Sequence, residues 1–466
     1  MAESTPSPKA ILRGHKAQVH AATFVRQNER LATGDAEGWV VLWDLTIMRP
    51  RAVWRAHENA ILGIRGWGND KIITHGRDHK LIVWRIKEED EERLSVSLPL
   101  EDTPTPRPQP WVLHLLEVNT MNFCSFAACL GDPKQGSSIE ASSSAAEVLL
   151  AVPNTLASEA IDVYTLPSQS RIHTVKPGQQ NGMAMSLSLL HHNESLTLAA
   201  AFENGFVSVH RLEADGSWTM TYRCQAHTQP VLSIDIHPNR ECLFTSAADA
   251  LIAKHPIPVS QQEVDIRLDP NQRVVEVVDT PSASSATGSG RKTLKEWEHA
   301  LKIVNTKHSG QQNLKVRSDG KIFATAGWDS KIRVYSTKTL KELAVLSWYK
   351  VGAYAVAFST IESSAAPASA KAPLSGQLEE NAAKTFDGAT LQKAEAEAEA
   401  QQTKSLAGAG MSVKDRRLQL AKTAHWIAAG AKDGKFVSSS LAGIEHTQRK
   451  SLPDLHARTS LPHWLV

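Results

Sequence analysis

Short β-branched, apolar or alternating runs recur along most of this chain, HAATFV (20–25), VVLW (40–43), IRVYS (332–336) and VGAYAVAF (351–358) among them, with turns rich in Gly, Asp, Asn and Ser between such runs. A period of two over about four to eight residues reads as β-strand rather than helix. The strands follow one another in a fixed order. LRGH (12–15) precedes LATGDAEGWVVLWDL (31–45), and WRAH (54–57) precedes IITHGRDHKLIVWRI (72–86). CQAH (224–227) precedes LFTSAADALIAKHPI (243–257), and NTKH (305–308) precedes IFATAGWDSKIRVYS (322–336). From His15 to Trp43 and from His227 to His255 is 28 residues; from His57 to Trp84 and from His308 to Tyr335 it is 27. Each unit is a His, an alternating stretch, a small-residue strand with a Thr, a tight acidic turn, and a strand ending in a ring.

This is the pattern of WD40 blades, in which four short strands pack radially around a closed ring. The spacing has a physical reason. A His before strand a, a Ser or Thr on strand b, an acid in the b–c turn and a ring at the end of strand c satisfy one another's hydrogen bonds only when the strands lie side by side. The expected relays are His15, Thr33, Glu37 and Trp43; His57, Thr74, Asp78 and Trp84; His227, Thr245 and Asp249; and His308, Thr325, Asp329 and Tyr335. The strand-c closing residues, Trp43, Trp84, Tyr164, His210, His255 and Tyr335, are spaced by 41, 80, 46, 45 and 80 residues. The two long gaps demand inserts. DTPTPRPQP (102–110) cannot ladder inside a sheet, while GDPKQGSSIEASSSAAE (131–147) and TPSASSATGSGRK (280–292) are low in complexity. The spacing therefore predicts an all-β, seven-bladed propeller over 8–440 with long, disordered inserts at about 87–110, 131–147, 265–298 and 361–422, followed by an atypical tail at 441–466.

Blade seven is expected to combine VGAYAVAF (351–358), HWIAAG (425–430) and KFVSSS (435–440) with KAILRG (9–14) as its outer strand. Closing the ring in this way removes free sheet edges. The closing position of strand c falls on Ser439, so this blade is expected to lack its aromatic anchor and to be marginal at the closure. The motif breaks abruptly after AKDGK, through divergence of the tail or a change of reading frame or splice choice.

Composition changes the picture little. The 466 residues carry 51 Lys and Arg against 49 Asp and Glu, a net charge of +2, which argues against direct nucleic-acid binding as the main business of the surface. No apolar run approaches the roughly 20 residues that a bilayer needs. Cys124, Cys129, Cys224 and Cys242 contain no C-x-x-C pair and read as reduced packing thiols. No nucleophile elbow, zincin or phosphate-loop motif occurs, and His191 and His192, as strand neighbours, point to opposite faces. Neither an enzymatic activity nor a cofactor or metal is expected.

What remains is surface. The residue before each b–c turn acid or amide points outward on one face of the ring: Ala36, Arg77, Glu203, Ala248, Trp328 and Lys432. Trp328, Arg77 and Lys432 are the candidate partner-binding residues, Trp and Arg being enriched at binding hot spots. Trp328 folded onto its neighbouring loop, and solvated Arg77 and Lys432, are the plainer alternatives.

The combination of ILRGHKAQVHAATFV (11–25), GDAEGWVVLWDL (34–45), GRDHKLIVWRI (76–86), AGWDSKIRVYS (326–336) and HWIAAGAKDGK (425–435), in this blade order, resembles the ASTRA-associated protein 1 family of fungal WD-repeat subunits. The resemblance implies a non-enzymatic scaffold in the nucleus, within a complex containing a large kinase-related transcription cofactor and helical-repeat chaperone proteins, and a link to chromatin remodelling. The alternative is a propeller that reads a peptide or histone tail in its central depression.

Overall fold

The computed structural model describes residues 8–101, 106–119, 123–135, 138–178, 180–258, 298–361 and 412–440. Among them, strands form seven antiparallel sheets of four, each a blade whose strands are lettered a to d outward from the axis. Blade one is Val19–Val25, Arg30–Asp35, Trp39–Asp44 and Arg49–Arg55; blade two is Ile61–Trp67, Lys71–Gly76, Lys80–Arg85 and Trp111–Glu117. Blade three is Ala127–Leu130, Val148–Pro153, Ile161–Leu166 and Ser170–Val175; blade four is Ala184–His192, Ser195–Phe202, Phe206–Leu212 and Trp218–Gln225. Blade five is Val231–Ile236, Cys242–Ala247, Leu251–Pro256 and Lys302–Asn305; blade six is Gln311–Val316, Ile322–Gly327, Ile332–Ser336 and Glu342–Leu346. Blade seven takes Ala353–Phe358, Trp426–Ala431 and Lys435–Ser440 from late in the chain and Ala10–Arg13 from its beginning. The protein is a seven-bladed β-propeller.

A blade is apolar on both faces because it is sandwiched between two others. Val40, Leu42 and Trp54 of blade one meet Ile61, Ile64, Ile82 and Trp84 of blade two, with the Trp54 and Trp84 rings edge to face at 6.2 Å. At the closure, Leu12 pairs with Phe436 and Ala10 with Ser438. Ser439 does occupy the closing position, opposite Ile427. The missing aromatic volume comes from elsewhere in the blade: Trp426 on strand b and Phe436 at the start of strand c pack with Leu12, Phe24 and Trp43 of blade one and the closure.

Parts of the expected inserts are built into the ring. Glu89–Arg93 is a single 3-10 turn that buries the Glu91 carboxylate completely among three arginines of blade one's bottom edge. Arg30 grips it through Nε and Nη2 at 3.2 and 3.1 Å, Arg51 Nε donates at 2.9 Å, and Arg26 Nη1 donates as well. The chain then runs along the outer strand of blade one, where Val53 N–H donates to Ser95 O at 2.7 Å, and reaches the closure, where Leu100 N–H donates to Gly14 O at 3.0 Å. In the 131–147 stretch, Ile139 is buried with Trp67 and Leu130, and Glu140 accepts from Arg65 at 2.8 Å. A helix, α1 (Val413–Thr423), capped by Ser412 Oγ on Asp415 N–H, forms at the end of the expected 361–422 insert and runs one residue past it. Most of that insert, nearly all of 265–298 and the 441–466 tail lie outside the described residues.

Candidate functional site

The blades present their b–c turns and d–a loops on one face, hereafter the upper face, and relays beneath that face hold the turns in place. In blade two, His57 Nδ1 meets Asp78 Oδ1 at 2.8 Å, His57 Nε2 meets Thr74 Oγ1 at 2.8 Å, and Trp84 Nε1 donates to Thr74 Oγ1 at 2.8 Å. Burial pushes the Asp78 carboxyl up, but the His57 hydrogen bond and charge reverse this and hold it below its ordinary value. In blade five the relay runs further. Asp249 lies 3.1 Å from His227 Nδ1, His227 Nε2 is 2.8 Å from Thr245 Oγ1, and Thr245 meets His255 Nε2 at 2.8 Å. His255 Nδ1 is in turn hydrogen-bonded to the Tyr222 hydroxyl of blade four at 2.6 Å, so this relay ties two blades. Burial, aided by His227, pushes His255 down to about 3, which keeps it a neutral member of the chain.

Two of the expected relays are corrected. In blade one the acid is Asp35, not Glu37: Asp35 Oδ2 lies 2.8 Å from His15 Nδ1, while its Oδ1 accepts from Glu37 N–H and Trp39 N–H, both at 3.0 Å. Thr33 and Trp43 complete that relay, at 2.7 Å from His15 and 2.9 Å from each other. Asp35 stands two residues after its Thr, where blade two has Gly76, so the carboxylate reaches the imidazole from the strand rather than from the turn. Glu37 is exposed. Asp35→Ala is expected to cost about 2–3 kcal/mol by stripping three donors of their acceptor. Glu37→Ala should stay within about 0.5 kcal/mol; urea titrations of the two variants compare them, and equal losses would reverse the assignment.

In blade six the relay does not form. Arg333 occupies the strand-c site filled by Val41, Ile82 and Ala253 in blades one, two and five, opposite the relay Thr in each case. Its guanidinium forks onto Asp329 at 3.1 and 2.6 Å, leaving His308 Nδ1 3.8 Å away with its side chain 42% exposed. Among the described residues no hydrogen bond joins His308 to Thr325; Tyr335 instead stacks on Phe323 at 5.1 Å.

Above the relays the upper face is regular. Ala36, Arg77, Glu203, Ala248, Trp328 and Lys432 each donate their backbone N–H to the residue just before strand a of their blade, Gln18, Ala60, Met183, Pro230, Gly310 or Gly352. The turn glycines couple successive blades: Gly38 and Gly205 have φ of +84° and +80°, and a Cβ there would lie about 2 Å from the carbonyl oxygen of His57 or His227 in the next blade.

The candidate partner-binding side chains fall on this face. Trp328 is 46% exposed, lies flat against Gly310 and donates Nε1–H to Gln312 Oε1 at 2.8 Å. It is therefore both docked on its neighbouring loop and open to solvent. Arg77 is spread over Phe123 at 4.4 Å, and Lys432 is exposed. Phe123 at 61% and Leu156 at 97% exposed belong to the same face and were not singled out by the repeat, since Phe123 sits in the irregular approach to blade three and Leu156 in that blade's long b–c turn. Trp328, Phe123, Met185, Leu232 and the stacked pair His20 and Tyr354, 5.7 Å apart, line the mouth of an axial channel of about 940 Å³. Burial lowers the His20 pKa, so that ring is neutral near pH 7.

Among the described residues no group of three or more His, Cys, Asp or Glu could hold a metal ion, and His191 Nε2 is committed to Leu130 O at 2.8 Å. Burial pushes the Cys129 thiol up to about 12 and the Cys124 thiol higher still, which disfavours the reactive thiolate at both. No helix among the described residues is long and apolar enough to cross a membrane.

These features define a seven-bladed propeller whose polar residues are spent on holding a rim of exposed apolar and cationic side chains around its channel. The family model of ASTRA-associated protein 1 matches residues 8–439, and the chain belongs to that family. Similar proteins, each named ASTRA-associated protein 1, include one from Verticillium alfalfae, 51% identical with 93% of this chain and 92% of the relative covered. One from Pyricularia oryzae is 46% identical over 92% of this chain and 96% of the relative. One from Schizosaccharomyces pombe is 32% identical over 76% and 93%.

Proposed function

We propose that this chain is a non-enzymatic WD-repeat scaffold subunit of the ASTRA complex, working in the nucleus by docking other proteins and so contributing to chromatin remodelling. The observation that carries the reading is the family match across the whole propeller, 8–439, together with the name its relatives bear. The rim of Trp328, Phe123, Leu156 and Arg77 supports docking, because exposed aromatics beside an Arg are the side chains that gain most when a partner removes water from them. The partners proposed are a kinase-related transcription cofactor and helical-repeat chaperone proteins. The channel mouth supports a second reading, a peptide or histone-tail reader, with His20, Tyr354 and Trp328 as the recognition surface.

Affinity purification of the tagged chain from fungal nuclei tests the first reading, and recovery of neither partner class sinks it. Phe123→Ala and Trp328→Ala are expected to weaken the dominant interaction by about 1–2 kcal/mol or more each, with the melting temperature within a degree or two of the parent. If both variants recover partners as well as the parent does, the upper face is not the docking face. Binding of histone-tail peptides on an array, lost in Trp328→Ala, would favour the reader instead.

A further inference from the structure

The face opposite the rim holds a concentration of charge that the overall balance of +2 conceals. Blades five and six meet there at the c–d turn of blade six, 337–341, and five lysines converge on it. Lys338 and Lys341 stand in the turn itself. Lys321, from the a–b turn of the same blade, accepts at its carbonyl from Thr337 N–H at 3.1 Å and from Thr337 Oγ1 at 3.0 Å. From blade five, Lys302 Nζ donates to Thr339 O at 2.9 Å, and Lys254 Nζ lies 3.5 Å from Thr337 O. Four of the five are exposed and Lys254 is half-buried.

No described carboxylate neutralises them. Asp319 and Glu342, the acids beside Lys321 and Lys341 in the sequence, are engaged by Arg317 at 2.5 Å and Arg333 at 3.4 Å, and none of the five lysines forms an ion pair among the described residues. Lys254 and Lys302 are moreover direct cross-strand partners, so their side chains leave the same face of the sheet. Like charges placed opposite one another in this way are destabilising. Two lysines that oppose each other, reach to the neighbouring blade and end beside three more make a surface whose repulsion an anion relieves.

The chemistry of the surface selects the anion. Duplex DNA is typically held through about six to ten phosphate contacts, single strands through stacking on aromatic rings, and base edges through Arg, Asn or Gln. Here the nearby rings of Phe244, Phe323 and Tyr335 are buried, and both nearby arginines already hold carboxylates. What remains is a small group of point charges, which matches a short run of carboxylates. We propose that this junction of blades five and six is a docking surface for an acidic segment of a partner protein, with Asp or Glu side chains seated across Lys254, Lys302, Lys321, Lys338 and Lys341. It lies on the face away from Trp328 and holds whether or not the upper rim binds a partner.

Fluorescence anisotropy of a labelled oligoglutamate peptide with the full chain tests it. The expected result is saturable binding that weakens as salt is raised, because exposed charges carry it. Lys338→Glu with Lys341→Glu, both exposed turn positions, is expected to weaken binding about tenfold or more, roughly 1.4 kcal/mol, with the melting temperature unchanged. Lys134→Glu with Lys176→Glu makes the same change in net charge at exposed sites of blade three and should leave the affinity at the parent's value. Equal losses in the two double variants mean attraction to net charge alone and overturn the proposal. So does an absence of binding at about millimolar peptide. Duplex DNA that binds more tightly than the peptide, and is lost in the Lys338 and Lys341 variant, overturns it as well and gives the surface to nucleic acid.

Discussion

Between pH 7.5 and 5.5 the folded state should lose about 4 kcal/mol of stability. Three histidines are responsible. Burial pushes His75 and His255 down to about 3 and His210 to about 4, with His57 adding to the effect on His75 and His227 to that on His255. Because the folded pKa lies below the unfolded value of 6.5, the unfolded chain takes up protons that the folded chain refuses. Stability is therefore fully present above pH 6.5 and falls as the pH drops from there towards 3 to 4. Each such histidine contributes about 1.4 kcal/mol over the two units from 7.5 to 5.5, a large share of the roughly 5–15 kcal/mol that a domain possesses. Asp78, Asp249, Asp319 and Asp329, held below their ordinary value of 3.8, add a second loss only in stronger acid. Urea titrations at pH 7.5, 6.5 and 5.5 read the effect directly, and a constant midpoint would refute it. His75→Leu offers a sharper check. Neither nitrogen of His75 has a partner among the described residues, and its ring rests edge-on against Phe126 at 6.1 Å. The leucine variant should lose one proton's worth of pH dependence and gain stability at pH 5.5.

The second large effect is expected at Glu91. Its carboxylate is the shared counter-ion of Arg26, Arg30 and Arg51, and it is completely buried. Glu91→Ala leaves two largely buried guanidinium groups and a third half-exposed one without that acceptor, a loss of about 3–5 kcal/mol for a broken buried ion pair. Glu91→Gln keeps the shape and one acceptor oxygen but not the charge, and should fall between alanine and the parent in thermal and urea melts. A loss under about 1 kcal/mol for alanine would mean that the arginines find other partners, and that Glu89–Arg93 is decoration rather than part of the blade.

The ring, its seven blades and its closure by the N-terminal strand were legible in the sequence because a repeated spacing has one geometric solution: His57, Thr74, Asp78 and Trp84 can meet only in a four-stranded blade. Where the same job is done by different atoms the pattern fails. Asp35 does the work expected of Glu37 from two residues earlier in the chain. Arg333 takes Asp329 from His308, which spacing cannot reveal because it lies on a strand the motif treats as apolar. Blade three replaces the relay by Asn154 donating to Asp162 at 2.8 Å and Thr174 donating to the same carboxylate at 2.6 Å, a set with no repeat to announce it. Glu91 stands in the acidic run EEDEER, which reads as solvated surface; only its three arginines, 40 to 65 residues away in the chain, make it structural.

The pairing of Ala10–Arg13 with Lys435–Ser440 also sets a timetable. The outer strand of blade seven is synthesised before every other strand of the ring, and its partner is made 422 residues later, counting from Arg13 to Lys435. At about 5–20 residues per second, the ribosome takes roughly 20–80 seconds to deliver that partner. Throughout that interval Leu12 has no Phe436 to pack against, and blade one lacks the neighbour that buries Phe24 and Trp43. The nascent chain therefore presents an open arc of blades with two apolar flanks. Its passage to a closed ring depends as much on what shields those flanks during synthesis as on the stability of the finished propeller.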